Sequence, residues 1–271
     1  MKIVLLGEQA TGKSSLLVAL YGALVNRRAG EMRIVRTIDD VEFLSRGLQA
    51  HGRHESVLRT EVDARSRLLI DIAHGENLVR IEMPDRSGEL VRHMIEARRW
   101  EHELQEQITG AEGAILCLRA DRFGEEGSAP LPEPIYETVP PAPAAAETPA
   151  WSPGQMPADA RAVDLLQAVL EDRRTALPLA VVISAWDRAG AGTEPATWLG
   201  ANVPLLAQFL ETHHGQLPHR IFGVSAQGNA FEAAESHGGE EDPWDRAYLV
   251  GPDGARGTIG DPIAWLLESA S

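Results

Sequence analysis

With 271 residues, 44% of them hydrophobic, the chain can build one large core or two small ones, and a single domain of 1–271 carrying insertions is the simpler organisation. A net charge of −15 repels nucleic-acid backbones and anionic lipid, so neither is an expected partner. The one cysteine, Cys117, excludes an internal disulfide and a cysteine-built zinc site.

The opening MKIVLL starts a strand almost at once, which leaves no room for a secretion signal. No apolar run approaches the ~20 residues of a membrane span, so a cytoplasmic protein is expected. From Lys13 to about Val25, Leu16, Leu17, Leu20 and Leu24 recur at helical spacing. Residues 27–65 are polar, Arg-rich and weakly periodic, and read as a long loop with a short helix around DDVEFLSRGL. RSRLLIDIAHGENLVRIEMPD reads as two strands joined by a turn at His74 to Asn77. ELVRHMIEARRWEHELQEQI follows as a helix, and GAILCLRAD as a strand in which Cys117 is a small buried hydrophobe.

Between about 123 and 160 the character changes, with nine of the 17 prolines between Pro130 and Pro157. Proline at that density blocks helix and sheet ladders, so this Pro/Ala-rich stretch reads as a surface insertion. Behind it come a helix in RAVDLLQAVLEDRR, a strand in LPLAVVISAWD, a helix in NVPLLAQFLETHH, a strand in RIFGVSAQG and a closing helix in DPIAWLLES. Strands alternating with helices imply an α/β fold, a doubly wound and mostly parallel sheet with an antiparallel hairpin at one edge. Ligands of such sheets sit at the carboxyl ends of the strands.

The first of those ends carries Gly7, Glu8, Gln9, Ala10, Thr11, Gly12, Lys13, Ser14 and Ser15, which match the phosphate-binding pattern G-x-x-x-x-G-K-[ST]. Glycines let backbone N–H groups turn inward around phosphate oxygens, and the following helix presents its positive end. Lys13, one of only two lysines, is placed to reach the β- and γ-phosphates, and the Ser14 hydroxyl to ligate magnesium. Asp85-x-x-Gly88 follows the hairpin, where the carboxylate can hold magnesium through water and the Gly88 N–H can touch the γ-phosphate. Two more strand ends carry Ser184-Ala185-Trp186-Asp187 and Ser225-Ala226-Gln227.

These four elements, in this order, resemble the Ras-like, translation-factor-related P-loop GTPases, and the layout is similar to the double-GTPase group of bacterial conflict systems. The resemblance implies GTP or GDP as ligand, Mg2+ as cofactor, and hydrolysis of GTP in a nucleotide-dependent switch acting on a protein effector or second subunit. It implies that Asp187 accepts hydrogen bonds from guanine N1 and N2, that the backbone at Ala226 meets guanine O6, and that Ser184, Ser225 and Gln227 are also nucleotide-binding residues. The switch threonine that ligates magnesium is Thr60, whose spacing from Asp85 suits the family, with Thr37 as the alternative. Switch segments are expected near 36–62 and 85–100.

The motifs depart from the family pattern at several positions. Ser184 and Ala185 stand where Asn and Lys are usual, and Trp186 either offers a flat surface to the base or belongs to the core. Glu89 occupies the place of a water-orienting glutamine, which implies slow intrinsic hydrolysis. Gln9 and Ala10 replace glycines that fast-cycling small GTPases often have. Arg59 and Arg86 are either arginine fingers supplied in cis or solvated arginines. An ATPase on a related fold, and a scaffold that holds nucleotide without turnover, are the other readings.

Overall fold

The computed structural model of the chain describes residues 1–39, 41–53, 55, 67–84, 87–97, 102–123, 155–171, 173–190, 192–228 and 243–270. Its strands are β1 (Lys2–Leu6), β2 (Arg33–Asp39), β3 (Arg67–His74), β4 (Asn77–Pro84), β5 (Gly113–Arg119), β6 (Leu179–Ser184), β7 (His219–Ser225), β8 (Tyr248–Val250) and β9 (Arg256–Gly257). All join one sheet in the order β2-β3-β4-β1-β5-β6-β7-β8-β9. The run β4-β1-β5-β6-β7 is parallel. Both margins are antiparallel, β2 and β3 on one side and β8 and β9 on the other.

The helices are α1 (Lys13–Val25), α2 (Val41–Gly52), α3 (Ser87–Ala97), α4 (His102–Thr109), α5 (Ala158–Glu171), α6 (Pro195–Asn202), α7 (Pro204–Thr212), α8 (Pro243–Arg246) and α9 (Asp261–Ser269). The near-continuous apolar strands divide by alternation between two cores. Ile3, Leu5, Ile115 and Val182 pack with α1, α2 and α9. Val4, Leu6, Leu116 and Val181 pack with α3, α4, α5, α6 and α7. Among the described residues, no helix is long and apolar enough to cross a membrane.

Helix α1 is buried on nearly every side, from Leu16 to Leu20 without a break. The sheet covers its inner face, and two glycines admit an outer layer. Gly47 of α2 lies against Val18, and Gly22 of α1 lies against the indole of Trp244 in α8, where a Cβ would collide with the ring. Trp244 in turn stacks on His51 of α2, with ring centroids 4.5 Å apart.

Several expected elements differ. The stretch 27–65 holds a strand, β2, and the helix α2 rather than a loop with one short helix. β2 is an edge strand with a register shift between Ile34 and Arg36, which leaves Val35 58% exposed and breaks the apolar alternation. The helix expected over 89–108 falls on α3 and α4, with residues 98–101 between them outside the described residues. Helix α5 begins at Ala158, inside the expected insertion, because Pro157 accepts the first helical bond from Arg161 N–H instead of extending the chain. Residues 124–154 of that insertion lie outside the described residues. The strands β8 and β9 and the helix α6 were not among the expected elements.

Candidate functional site

The chain leaves β1 at Leu6 and reverses through three positive φ angles, +135° at Gly7, +59° at Ala10 and +90° at Gly12. Two of these positions also lack room. A Cβ at Gly7 would stand 2.6 Å from the Cys117 carbonyl oxygen of β5, and one at Gly12 would stand 2.5 Å from Ser184 Oγ of β6. The loop is therefore held against the ends of two neighbouring strands by residues without side chains.

Lys13 folds back across this loop. Its Nζ donates to the Gly7 carbonyl at 2.7 Å and to the Glu8 carbonyl at 2.6 Å, and the side chain is only 8% exposed. Thr11 Oγ1 also donates to the Glu8 carbonyl, at 2.9 Å. Helix α1 starts at Lys13 with Gly12 as its N-cap, with no side-chain capping bond and no acidic residue in the first turn. The N–H groups of Lys13, Ser14 and Ser15 thus meet a fixed ammonium at the positive end of a buried helix, a cradle suited to a polyanion. Two arginines reach the loop from distant positions in the chain. Arg122 Nη1 donates to the Gln9 carbonyl at 2.7 Å, and Arg161 Nε pairs with Glu8 Oε1 at 2.8 Å.

A second cluster lies at the ends of β6 and β7. Ser184 Oγ donates to the Thr11 carbonyl at 2.8 Å, tying β6 to the loop. The chain then turns through Ala185 at φ +53° into a 3-10 turn, Trp186–Arg188. The Trp186 ring is 5% exposed, edge-on to Trp198 at 6.2 Å and flat over Gly223 of β7, so it belongs to the core and offers no surface to a base. Asp187 stands beyond it, half-exposed, and its Oδ1 accepts from Ser225 Oγ at 2.6 Å. Gly228 N–H donates to the same Ser225 oxygen at 3.0 Å, which closes the bend containing Ala226 and Gln227. Beside this bend, Arg119 and Arg188 both bond Asp121 and hold its carboxyl below the usual carboxylate range.

Both clusters lie at the carboxyl ends of parallel strands, and the loop sits at β1, between β4 and β5, where the strand order reverses. Gly88 and Glu89 fall in the first turn of α3, directly after β4. Thr37 lies within β2, opposite Ile70 in the antiparallel ladder. Thr60, Arg59, Asp85 and Arg86 lie outside the described residues. Sequence reasoning missed Arg122, Arg161 and the Arg119–Asp121–Arg188 group. The alternating charges after the β5 run, in LRADR, were the available signal for three of them.

The model of the Double-GTPase 1 family matches residues 4–266. The chain belongs to that family. Among curated proteins, none matches by sequence. Solved structures similar to this Double-GTPase 1 chain include a GTP-binding protein from the hyperthermophilic archaeon Sulfolobus solfataricus in complex with GDP, at 11% identity, covering 100% of this chain and 53% of that one, with a TM-score of 0.43. This chain therefore spans about half the length of the Sulfolobus protein. A probable GTP-binding protein engB is similar at 11% identity, with 99% of both chains covered and a TM-score of 0.40. The G domain of the T. maritima FeoB iron transporter is similar at 10% identity, over 87% of this chain and 94% of that one, with a TM-score of 0.33.

Proposed function

We propose that the chain binds a guanine nucleotide through both clusters and, with Mg2+, hydrolyses GTP to GDP and phosphate as a switch read by a protein partner in the cytoplasm. The observation that carries this reading is the Ser184–Thr11 bond. It joins a loop built for phosphates to a strand end whose next carboxylate, Asp187, is aimed by Ser225. Asp187 accepts from guanine N1–H and N2–H, a pair of donors that adenine lacks. Lys13 and the first N–H groups of α1 stabilise charge on the β- and γ-phosphates, where it grows as the bond to the leaving oxygen breaks.

The donor set suits Mg2+. Ser14 brings a hydroxyl to the start of α1. An ion that keeps waters and takes phosphate oxygens needs little more, and Thr60 and Asp85 complete the proposed ligands. Bound there, Mg2+ would offset charge on the phosphate oxygens. Gly88 N–H contacts the γ-phosphate, and a glutamate at position 89, where the GTPases that the sequence resembles often carry a water-orienting glutamine, makes turnover without a partner slow.

Competition between GTP, GDP and ATP for a fluorescent guanine nucleotide, on the full chain with Mg2+, tests the reading. GTP and GDP compete and ATP does not, and Lys13→Ala weakens binding by at least about 100-fold through loss of several charge-assisted bonds. Lys13→Ala binding as tightly as the unaltered chain refutes it. Single-turnover hydrolysis then separates a slow GTPase from a scaffold that holds nucleotide without turnover, and rapid partner-free hydrolysis contradicts the role given to Glu89.

A further inference from the structure

We propose that Arg161 of α5 is a positioning residue for the phosphates of the nucleotide, a role that rests on the reading of the loop given above. It draws the Glu8 carboxylate away from the Lys13 ammonium and offsets its charge. An acidic residue is an unexpected neighbour for a polyanion, and Glu8 is the only acidic residue from Gly7 to Ser15. Its backbone stands at the centre of the loop's bonding. The Glu8 carbonyl accepts from Lys13 Nζ at 2.6 Å and from Thr11 Oγ1 at 2.9 Å. A carboxylate on the same residue is therefore within side-chain reach of that ammonium and can compete with phosphate for it.

The carboxylate instead goes to α5. Glu8 Oε1 accepts from Arg161 Nε at 2.8 Å, and both side chains are mostly covered, at 22% and 23% exposure. Arg161 is itself fixed. Its Nη1 donates to the Met156 carbonyl, and its backbone N–H donates to the Pro157 carbonyl at 2.9 Å. Between the loop and α5 lies a cavity of about 30 Å³, lined by both members of the pair together with Thr11, Leu118, Phe123 and Leu165. That wall is largely apolar, so the pair is screened less than one on open surface, and a carboxylate left without its cation there acts on the phosphates more strongly. Arg122 also stands on this wall, but its Nη1 donates to the Gln9 carbonyl at 2.7 Å, so it replaces only part of what Arg161 supplies.

Position 8 thus carries a negative charge that suits a phosphate site only while α5 holds it. A bracing role for Arg161 alone gives a different pattern. Loss of a brace weakens the loop whatever its charge, and altering Glu8 as well repairs nothing. If charge is what Arg161 offsets, neutralising Glu8 repairs the loss.

The test is GDP affinity on the full chain with Mg2+, read by competition with a fluorescent guanine nucleotide at low and high salt. Guanosine, which has no phosphate, is the control competitor. Arg161→Gln lowers GDP affinity about 3–10-fold at low salt and less at high salt, and leaves guanosine affinity unchanged. Adding Glu8→Gln to Arg161→Gln recovers most of the loss. Arg161→Lys keeps the charge and can make the single bond to Glu8, so it holds GDP within about 2-fold of the unaltered chain. Arg161→Gln with unaltered GDP affinity, or a loss that Glu8→Gln leaves in place, overturns the proposal and leaves the nucleotide reading standing. Glu8→Gln alone keeps the test open if Arg161→Gln does not fold. It leaves the Arg161 cation unpaired and raises GDP affinity about 2–5-fold at low salt, and an equal or lower affinity overturns the proposal. An unaltered chain that does not bind GDP overturns both.

Discussion

Replacing Gly12 by alanine challenges the loop between β1 and α1 at the point where it touches the neighbouring strand. Two effects are separable there. At φ +90° an L-residue carries conformational strain of about 1–2 kcal/mol. The new methyl would also stand 2.5 Å from Ser184 Oγ and 2.7 Å from Ser184 Cβ, an overpacking that costs a further 1–3 kcal/mol or so. Gly12→Ala is therefore expected to lose about 2–5 kcal/mol of stability. Ser184→Gly loses its bond to the Thr11 carbonyl and stiffness at the end of β6, about 1.5–2 kcal/mol together. Removing the serine side chain also removes what the new methyl strikes, so in the double variant only the conformational part of the Gly12 penalty remains. Urea unfolding of the four proteins gives a coupling of about 1–3 kcal/mol in favour of the double variant. If the two single losses simply add, the loop and the strand are not in contact as described.

Two further outcomes follow from groups away from the loop. Burial pushes the Cys117 thiol up to about 12, so at pH 8 about one thiol in ten thousand is ionised. Alkylation by iodoacetamide should be thousands of times slower in the native chain than in urea, and equal rates would show that β5 does not cover it. The Arg80 guanidinium bonds both oxygens of Asp71, at 2.8 and 3.0 Å, and holds that carboxyl below its ordinary 3.8. A lowered carboxylate pKa stabilises fully above the unfolded value and loses its contribution as pH falls through the folded one. Asp71→Asn is expected to lose about 1 kcal/mol at neutral pH, since Arg80 is half in solvent, and to show a shallower decline below pH 4. An unchanged acid limb in the unfolding profile would count against the pairing.

The turn between β1 and α1 was legible in the sequence because everything it needs is local: nine consecutive residues, a strand before and a helix after. The central strands were legible because burial on both faces leaves a continuous apolar run, as in GAILCLR. Where structure depends on distant partners, the sequence was silent. Trp186 reads equally as a base platform or as core until Gly223 is known to lie beneath its ring. Arg122 and Arg161 reach Gln9 and Glu8 across 113 and 153 positions, which no spacing pattern records. β2 hides behind its irregular register, and β8 and β9, at three and two residues, are too short to show a period.

The indole of Trp244 is clamped between Gly22 of α1 and the His51 imidazole, with no side chain at position 22 to cushion it. A slide of α1 by a fraction of an ångström must change the ring's overlap with that imidazole, a known kind of fluorescence quencher. The outer helical layer thus carries an optical gauge fastened directly to the helix that follows the glycine-bearing loop, one that needs no attached dye.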